Sequence, residues 1–583
     1  MESHACADTS VDHVLDAKHG LGGIALAPSR FIGKLTKVFG RRFTNYLGLV
    51  YFGLKGVAFS NLTSAMLPYF QLMQVSGVTF QLASVVARIP WSMKGFVGVL
   101  SDCFPLGRYH KRGYLIPASI IGAVAFTILG SLPVKDLGPS RVWPVAVLFC
   151  MANILIATFD LLCEGKYSEL MRQESAGSEV LTLVWTCMQS GALVSALVTG
   201  ATIDTWGPQP MLWVCVPLAI LACWRTCAGD LPEAPARSRA SLRAKVRSEP
   251  GLFVLAGLMA GGGLLVAIGV TFLGMVARAA LAIGISGFLI IISFRTLPKT
   301  LARSNLYMFL ASVAYMDVTG PLSYFYTGTD QCIVDGPHFS YAYYLSVSNV
   351  VGAVGSIMGA IIFQYMQSWS FRGAFCVTAC IQIFASVFDL MIVYRVNIRW
   401  GLSDEATYLF GDAACQSTAQ MMATMPMAML TARLCPRGAE ATVFAILAGF
   451  QNFGSSVGSI LGVLLSEGLE VTASAAGPCD FDRLGVLIIL AHCIGPLFVL
   501  PFTYCLVPAA RIDDEVAFEA APPPPSFRSP PASPLASPAP SSACSSDGSP
   551  SVNMAAPGGE YCLMEDLMED DPSSTCFKKQ CSF

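Results

Sequence analysis

Long apolar runs recur along the whole chain, and they limit its fold more than any other feature of the sequence. The clearest is 251–296, almost uncharged apart from Arg278. A helix rises about 1.5 Å per residue and the hydrocarbon core of a bilayer is about 30 Å thick, so one crossing takes roughly 20 apolar residues. The stretch 251–296 is too long for one crossing and is expected to form a helical hairpin turning near Arg278. Candidate spans precede it at 46–72, 77–101, 113–133, 142–163, 178–203 and 208–229, and follow it at 303–325, 338–366, 371–394, 405–431, 438–466 and 484–507. The expected fold is therefore an all-α multi-pass membrane protein with two six-helix bundles and an extra two-helix hairpin between them.

Composition agrees and excludes other classes. Only 13% of residues are charged and 54% are hydrophobic, whereas soluble domains carry about 25% charged residues. A net charge of -2 provides no basic footprint for nucleic acid. The first 30 residues hold Glu2, Asp8, Asp12, His13 and Asp16 and no apolar core, so neither a secretory signal nor a transit peptide is expected. The 20 cysteines are scattered without CxxC pairs and read as packing residues rather than metal ligands. Cys332 and Cys479 fall in loops expected outside and are candidates for a disulfide. No P-loop or HExxH pattern occurs, so an enzyme is not expected, and neither is a cofactor or metal.

Lysine and arginine in the short loops orient the chain. With the N-terminus inside, the inner loops hold Arg108, Lys111, Arg112, Lys166, Arg172, Arg225, Arg237, Arg239, Arg243, Lys245, Arg247, Arg295, Lys299, Arg303, Arg372, Arg433 and Arg437. The outer loops hold Lys135, Arg141, Arg278, Arg395, Arg399 and Arg483. The organisation read from this is a cytosolic tail (1–45), an N-terminal bundle (46–229), a basic cytosolic linker (230–250), the hairpin (251–296), a C-terminal bundle (297–507) and a Pro/Ser-rich cytosolic tail (508–583). Low complexity leaves the last segment unable to bury a core, so disorder is expected there. Its Ser-Pro steps are candidate phosphorylation sites, and Cys576 and Cys581 candidate lipidation sites.

Ionisable residues at bilayer depth are costly, and they line cavities or pair with one another. Lys55 and Arg88 fall near the middle of their spans and would attract an anion. Lys94, Asp160 and Glu164 fall toward the cytosolic end near Asp102 and Arg112, while Asp389, Asp404, Asp412, Arg395 and Arg399 fall toward the outer end. Such end clusters suit alternately closing gates, or equally static braces. Tyr51, Lys55 and Phe59 share one helical stripe, as do Trp185 and Gln189, and Asp412, Gln416 and Gln420. Aromatic faces and amides of this kind suit a flat heteroaromatic ligand. Asp317 reads as a lone carboxylate beside Thr319-Gly320-Pro321 and is the candidate proton carrier, with Asp160 its rival. Gly352, Gly355 and Gly359, and Gly454, Ser455, Ser456, Gly458 and Gly462, form small-residue faces for close helix approach.

Two stretches carry a family likeness. PWSMKGFVGVLSDCFPLGRYHKRGYL (90–115) is followed by FDLLCEGKYSELMR (159–172); GLSDEATYLFGD (401–412) is followed by MPMAMLTARLCPRGAEATVFAILAGFQNFGSSVGSILG (425–462). The Gly98–Asp102 GxxxD with Arg108 and Arg112 resembles the loop signature of the major facilitator superfamily. The Pro-Trp-x-x-Lys lead-in and the ARLCP-x-G-x-EAT-x-FA string resemble its folate–biopterin transporter branch, over roughly 45–507. The resemblance implies a twelve-helix two-bundle core, proton-coupled uptake of folates or pterins, and a central site shared by the bundles. It carries over Lys94, Asp102, Arg108, Arg112, Asp160, Glu164, Asp404, Asp412, Arg433 and Glu440, with gating assigned to Asp102, Arg112, Arg433 and Glu440. The hairpin departs from the twelve-span plan. The expected partners are a folate- or pterin-like substrate, protons and the bilayer, with a monomer in the plasma membrane by default and an organellar membrane as the alternative. The competing functions are a carrier for another organic anion or an amino acid, and a transporter-fold receptor that does not transport.

Overall fold

The computed structural model describes residues 31–33, 35–173, 177–233, 235, 250–434, 440–475 and 477–513. The expectations for Cys576, Cys581 and the tail beyond 513, and for most of the basic linker, lie outside the described residues, as do the side chains of Arg433 and Glu440. Among the described residues the chain is helical, and its extended pairings are isolated bridges such as Thr472 with Asp480.

Among the described residues the longer helices group into fourteen stretches. We number α1 as residues 41–72, joining Arg41–Gly48, Leu49–Ala58 and Phe59–Leu72, and α2 as residues 77–103, joining Gly77–Ser92 and Lys94–Cys103. Next come α3 (Arg112–Ser131), α4 (Val142–Gln173), α5 (Gly177–Trp206) and α6 (Gln209–Cys227). The stretch 251–296 forms α7 (Pro250–Phe272) and α8 (Met275–Thr296). Then follow α9 (residues 299–327, Lys299–Ala314 and Thr319–Thr327), α10 (Ala342–Tyr365) and α11 (Phe371–Val393). The last are α12 (residues 404–434), α13 (Glu440–Gly468) and α14 (Leu484–Leu506). Among the described residues nine helices, α3–α8, α10, α11 and α14, are each long and apolar enough to cross a membrane. The chain is a multi-pass membrane protein. Serine side chains start several helices by accepting an otherwise orphaned backbone N–H, as Ser370 does from Gly373 at 3.1 Å and Ser403 from Ala406 at 3.2 Å.

Interruptions matter more than lengths. The span expected at 303–325 is broken between Ala314 and Thr319. Pro321 has no N–H to return to the carbonyl four residues earlier, which is that of Asp317, so the helix opens there and restarts with Pro321 in its first turn. Four segments are π-helical, with wider turns that shift side-chain register: Leu49–Ala58, Ala342–Val347, Leu409–Gln416 and Ile489–Ile494. They carry Lys55, Asp412 and His492.

Helices before the α7–α8 hairpin meet helices after it where α2 packs on α13 and α5 on the start of α10. The α7–α8 hairpin covers the α2–α13 seam, α7 touching both helices and α8 touching α13 and α9. Arg278 fixes it there, its guanidinium reaching both carboxylate oxygens of Glu467 on α13 at 2.8 and 3.0 Å. The broken part of α9 lies directly on the small-residue face of α13. A Cβ at Gly458 would lie 3.0 Å from the Ser312 carbonyl oxygen, and one at Gly462 only 1.9 Å from that of Asp317. Gly462→Ala is therefore expected to destabilise the protein by about 1–3 kcal/mol, the usual cost of overpacking. A thermal-unfolding assay by size exclusion checks it, and an unchanged midpoint would refute this close approach.

Candidate functional site

Two ends of the molecule can be told apart by a disulfide. Cys332, in the loop after α9, is bonded to Cys479, in the loop before α14, with Cα atoms 4.7 Å apart. At this end the two sets of helices are stitched together by hydrogen bonds. Gly77 donates to the Ala473 carbonyl at 2.8 Å, Tyr324 to the Val75 carbonyl at 2.6 Å, and Gln71 to Thr327 at 2.9 Å. Asp204 at the end of α5 accepts from the backbone N–H groups of Tyr341 and Ala342, at 3.0 and 2.7 Å, at the start of α10. Toward the other end, Asn452 donates to the Trp91 carbonyl at 3.1 Å and Gly95 lies against Ile446, both within the α2–α13 seam.

Between the ends sit two groups of paired charges. In the first, Asp160 of α4 is bridged by two lysines: Lys55 at 3.0 Å, and Lys94 on the same oxygen. Both ammonium groups also lie over the ring of Trp91, Lys55 at 3.8 Å and Lys94 at 4.4 Å from its centroid, and Phe59 is 5.2 Å from Lys55. Ring faces attract cations most where water is excluded. The indole N–H is held by Asn153 at 2.8 Å. Glu164, one turn beyond Asp160, is half-buried within electrostatic reach of both lysines. Tyr51 turns away from the lysine, toward the Asp160 carbonyl at 3.4 Å and the Tyr167 ring. Residue counting placed Lys55 mid-span and Lys94 with Asp160 near an end; the structure brings the three together, with both lysines on the one carboxylate. The π-helical register of α1 and the break of α2 at Met93 account for the difference.

The second group joins the two sets of helices. Arg88 of α2 reaches Asp317 in the α9 break at 3.4 Å and donates to the Ser84 carbonyl at 3.3 Å, leaving its side chain 53% exposed. Asp317 is thus not a lone carboxylate. It also accepts from the Thr319 N–H at 2.9 Å and the Ser459 hydroxyl at 3.0 Å. Gln81, two turns before Arg88, donates to the Asp317 and Ser459 carbonyls and accepts from Gly320 at 2.9 Å. His492 donates from Nε2 to the Met316 carbonyl at 3.1 Å and stacks on Tyr315 at 4.3 Å.

The remaining expected residues separate. Arg395 pairs with Asp404 at 2.6 Å, and Asn397 adds a bond at 2.8 Å. Asp389 and Asp412 do not join that pair: Asp389 accepts from Tyr326 at 2.5 Å, Asp412 lies close enough to act on it electrostatically, and Tyr326, Phe339, Tyr344 and Tyr408 pack around them. Left-handed backbone at Arg395 turns its side chain to the loop instead of back into the bundle. Arg112 is held by the strap after α6, its guanidinium on the Gly229 and Leu231 carbonyls and over Tyr109, while Glu233 accepts from the N–H groups of Lys111 and Arg112. Arg108 is exposed and Asp102 half-buried at the end of α2. Gln416 donates to Tyr315 at 2.5 Å, and Gln420 below it is exposed. Trp185 and Gln189 are exposed on α5. Trp91, Gln81, Ser459, His492 and Asp204 escaped sequence reading as site residues; the helical spacing of Gln81, Arg88, Trp91 and Lys94 along α2 was the available signal.

A helical membrane fold with paired charges inside it and one end closed between two sets of helices is that of a transporter. Solved transporter structures share it: a POT family transporter in complex with a thioalcohol-conjugated peptide (TM-score 0.58, 12% identity, 80% of this chain and 97% of that one), and a D-xylose–proton symporter (0.51, 12%, 81% and 98%). The chain belongs to the BT1 family, whose model matches residues 55–522 and whose members are transporters rather than enzymes. Curated relatives include probable folate-biopterin transporter 6 of Arabidopsis thaliana, 23% identical over 77% of this chain and 79% of that one. The folate-biopterin transporter of Synechocystis sp. is 21% identical over 71% of each.

Removing one member of a buried ion pair leaves an uncompensated charge, at a cost of about 3–5 kcal/mol. Asp160→Asn, which leaves Lys55 and Lys94 facing each other, should lower the thermal midpoint markedly. Adding Lys55→Met should recover part of the loss, and a midpoint unchanged by the single variant would deny the pair its structural weight.

Proposed function

We propose that the chain is a secondary active transporter for folate- or pterin-like organic anions, coupled to protons and working by alternating access between two six-helix bundles, α1–α6 and α9–α14. The observation that carries this reading is Arg88: a half-exposed guanidinium near the middle of its span, held by a single carboxylate from the opposite set of helices. An exposed polar group at that depth belongs beside an aqueous path rather than lipid. Gln420 and Gln189 are exposed inside other spans and extend the same path. A guanidinium offers paired donors to a carboxylate. The names of the Arabidopsis and Synechocystis relatives support folates and biopterins as the substrate class.

In this reading the disulfide end faces outward, since disulfides persist in oxidising compartments and the basic loops fall at the other end. The contacts of Gly77 with Ala473 and of Asp204 with the start of α10 then form the closed outer gate. Arg395–Asp404 braces the outer loops, and Arg112 braces the inner strap. The α7–α8 hairpin stays fixed on α13 by Arg278.

Uptake of radiolabelled folate and biopterin into cells expressing the chain tests the proposal. Acid-stimulated uptake that a protonophore abolishes is expected; none, with the protein confirmed in the membrane, would refute this substrate class. Arg88→Ala should weaken folate binding by at least about tenfold, the effect of losing roughly 1.4 kcal/mol or more, without loss of expression. Unchanged affinity would remove Arg88 from the site.

A further inference from the structure

Asp317 sits in a small receptor of its own. The Arg88 guanidinium, the Thr319 N–H and the Ser459 hydroxyl converge on its two oxygens at 3.4, 2.9 and 3.0 Å. A cation, a backbone donor at the restart of a helix and a hydroxyl are the groups that would bind any carboxylate. The geometry holds this carboxylate unequally. The Thr319 N–H and Ser459 belong to elements packed around Asp317, whereas Arg88 comes from the other set of helices, makes the longest contact and keeps its side chain 53% exposed. The asymmetry leaves Arg88 open to a competitor from the aqueous side.

We infer that Asp317 is a built-in stand-in for the carboxylate of the substrate, and that the two exchange on Arg88. When a substrate carboxylate takes the guanidinium, Asp317 loses its only cation among the described residues and takes up a proton instead. Substrate and proton are then bound together, one for one. The same exchange unfastens a link between α2 and α9, so binding also loosens the two sets of helices from each other. The other groups around Asp317 do not supply a replacement charge. Gln81 of α2 and Ser459 of α13 are neutral, and His492 of α14 donates Nε2 to the Met316 carbonyl while its buried Nδ1 has no acceptor for a second proton. This inference rests on the transporter reading above and names how its substrate and proton are coupled.

The test is equilibrium binding of folate, which has carboxylates, and of biopterin, which has none, to the full-length purified protein at acidic and neutral pH. For the wild type, folate should bind more tightly as pH falls, because protonation takes Asp317 off Arg88, and biopterin should show no such change. A site blocked most of the time loses apparent affinity in proportion, so Asp317→Asn should bind folate about tenfold more tightly at neutral pH and with no remaining pH dependence. Folate affinity independent of pH in the wild type overturns the exchange without need of any variant. So does an Asp317→Asn protein that keeps the wild-type affinity and pH profile, or one that gains equally for biopterin. If the wild type binds neither compound, the folate and pterin reading fails and 4-aminobenzoate, a bare aromatic carboxylate, decides the exchange: tighter binding to Asp317→Asn upholds it, and no binding to either protein overturns it.

Discussion

A cation in hydrocarbon costs about 2.5–3.5 kcal/mol even on lenient insertion scales, and the arrangement of this protein follows from settling that cost with carboxylates. Lys55 and Lys94 share Asp160, and Arg88 uses Asp317. These pairs decide which helices must be neighbours: α1, α2 and α4 around Asp160, and α2 against α9 around Asp317. The first pairing lies wholly within the first six helices and is sealed by Trp91. The second crosses between the two sets and is half open to solvent. One is built to stay and the other to change.

Backbone breaks put the second pair where it is. Pro321 denies Asp317 its helical partner, so α9 unwinds over 315–318 and presents a free carbonyl and a carboxylate at one point. Gly458 and Gly462 let α9 lie directly on α13 there, and Gln81 satisfies the Asp317 carbonyl and the Gly320 N–H at the break. An unwound segment inside the membrane is tolerated only where other groups replace its lost hydrogen bonds. Here they come from α2 through Gln81 and from α14 through His492, so the break also lies at the junction of α2 with α9.

Much of the fold was legible. Apolar run lengths alone separated the helices, and the extent of 251–296 announced a hairpin. Family likeness at 90–115 and 425–462 pointed to the transporter class, which membership of the BT1 family now states. Pairing was less legible, because residue counts measure depth along a straight helix, and α1, α2, α9 and α12 are not uniform helices. Hence Lys55 seemed remote from Asp160, and Asp389 and Asp412 seemed to belong with Arg395. Asp317 seemed alone because its partner lies 229 residues away. Gln81 was marked only by its helical spacing to Arg88, and the hydroxyl Ser459 gave no signal, since single neutral polar residues in apolar runs are commonplace.

In the proposed transport cycle the closed disulfide end opens at every turnover. Gly77 and Ala473 offer a direct test: a Cβ built on Gly77 lies 3.0 Å from that of Ala473, so cysteines at the two positions can bridge once the segments part by about 0.5 Å. Uptake by a Gly77→Cys, Ala473→Cys protein would be measured before and after oxidative crosslinking, beside each single variant. The account predicts that crosslinking stops uptake in the double variant alone. Uptake that continues with the bridge fully formed would contradict it.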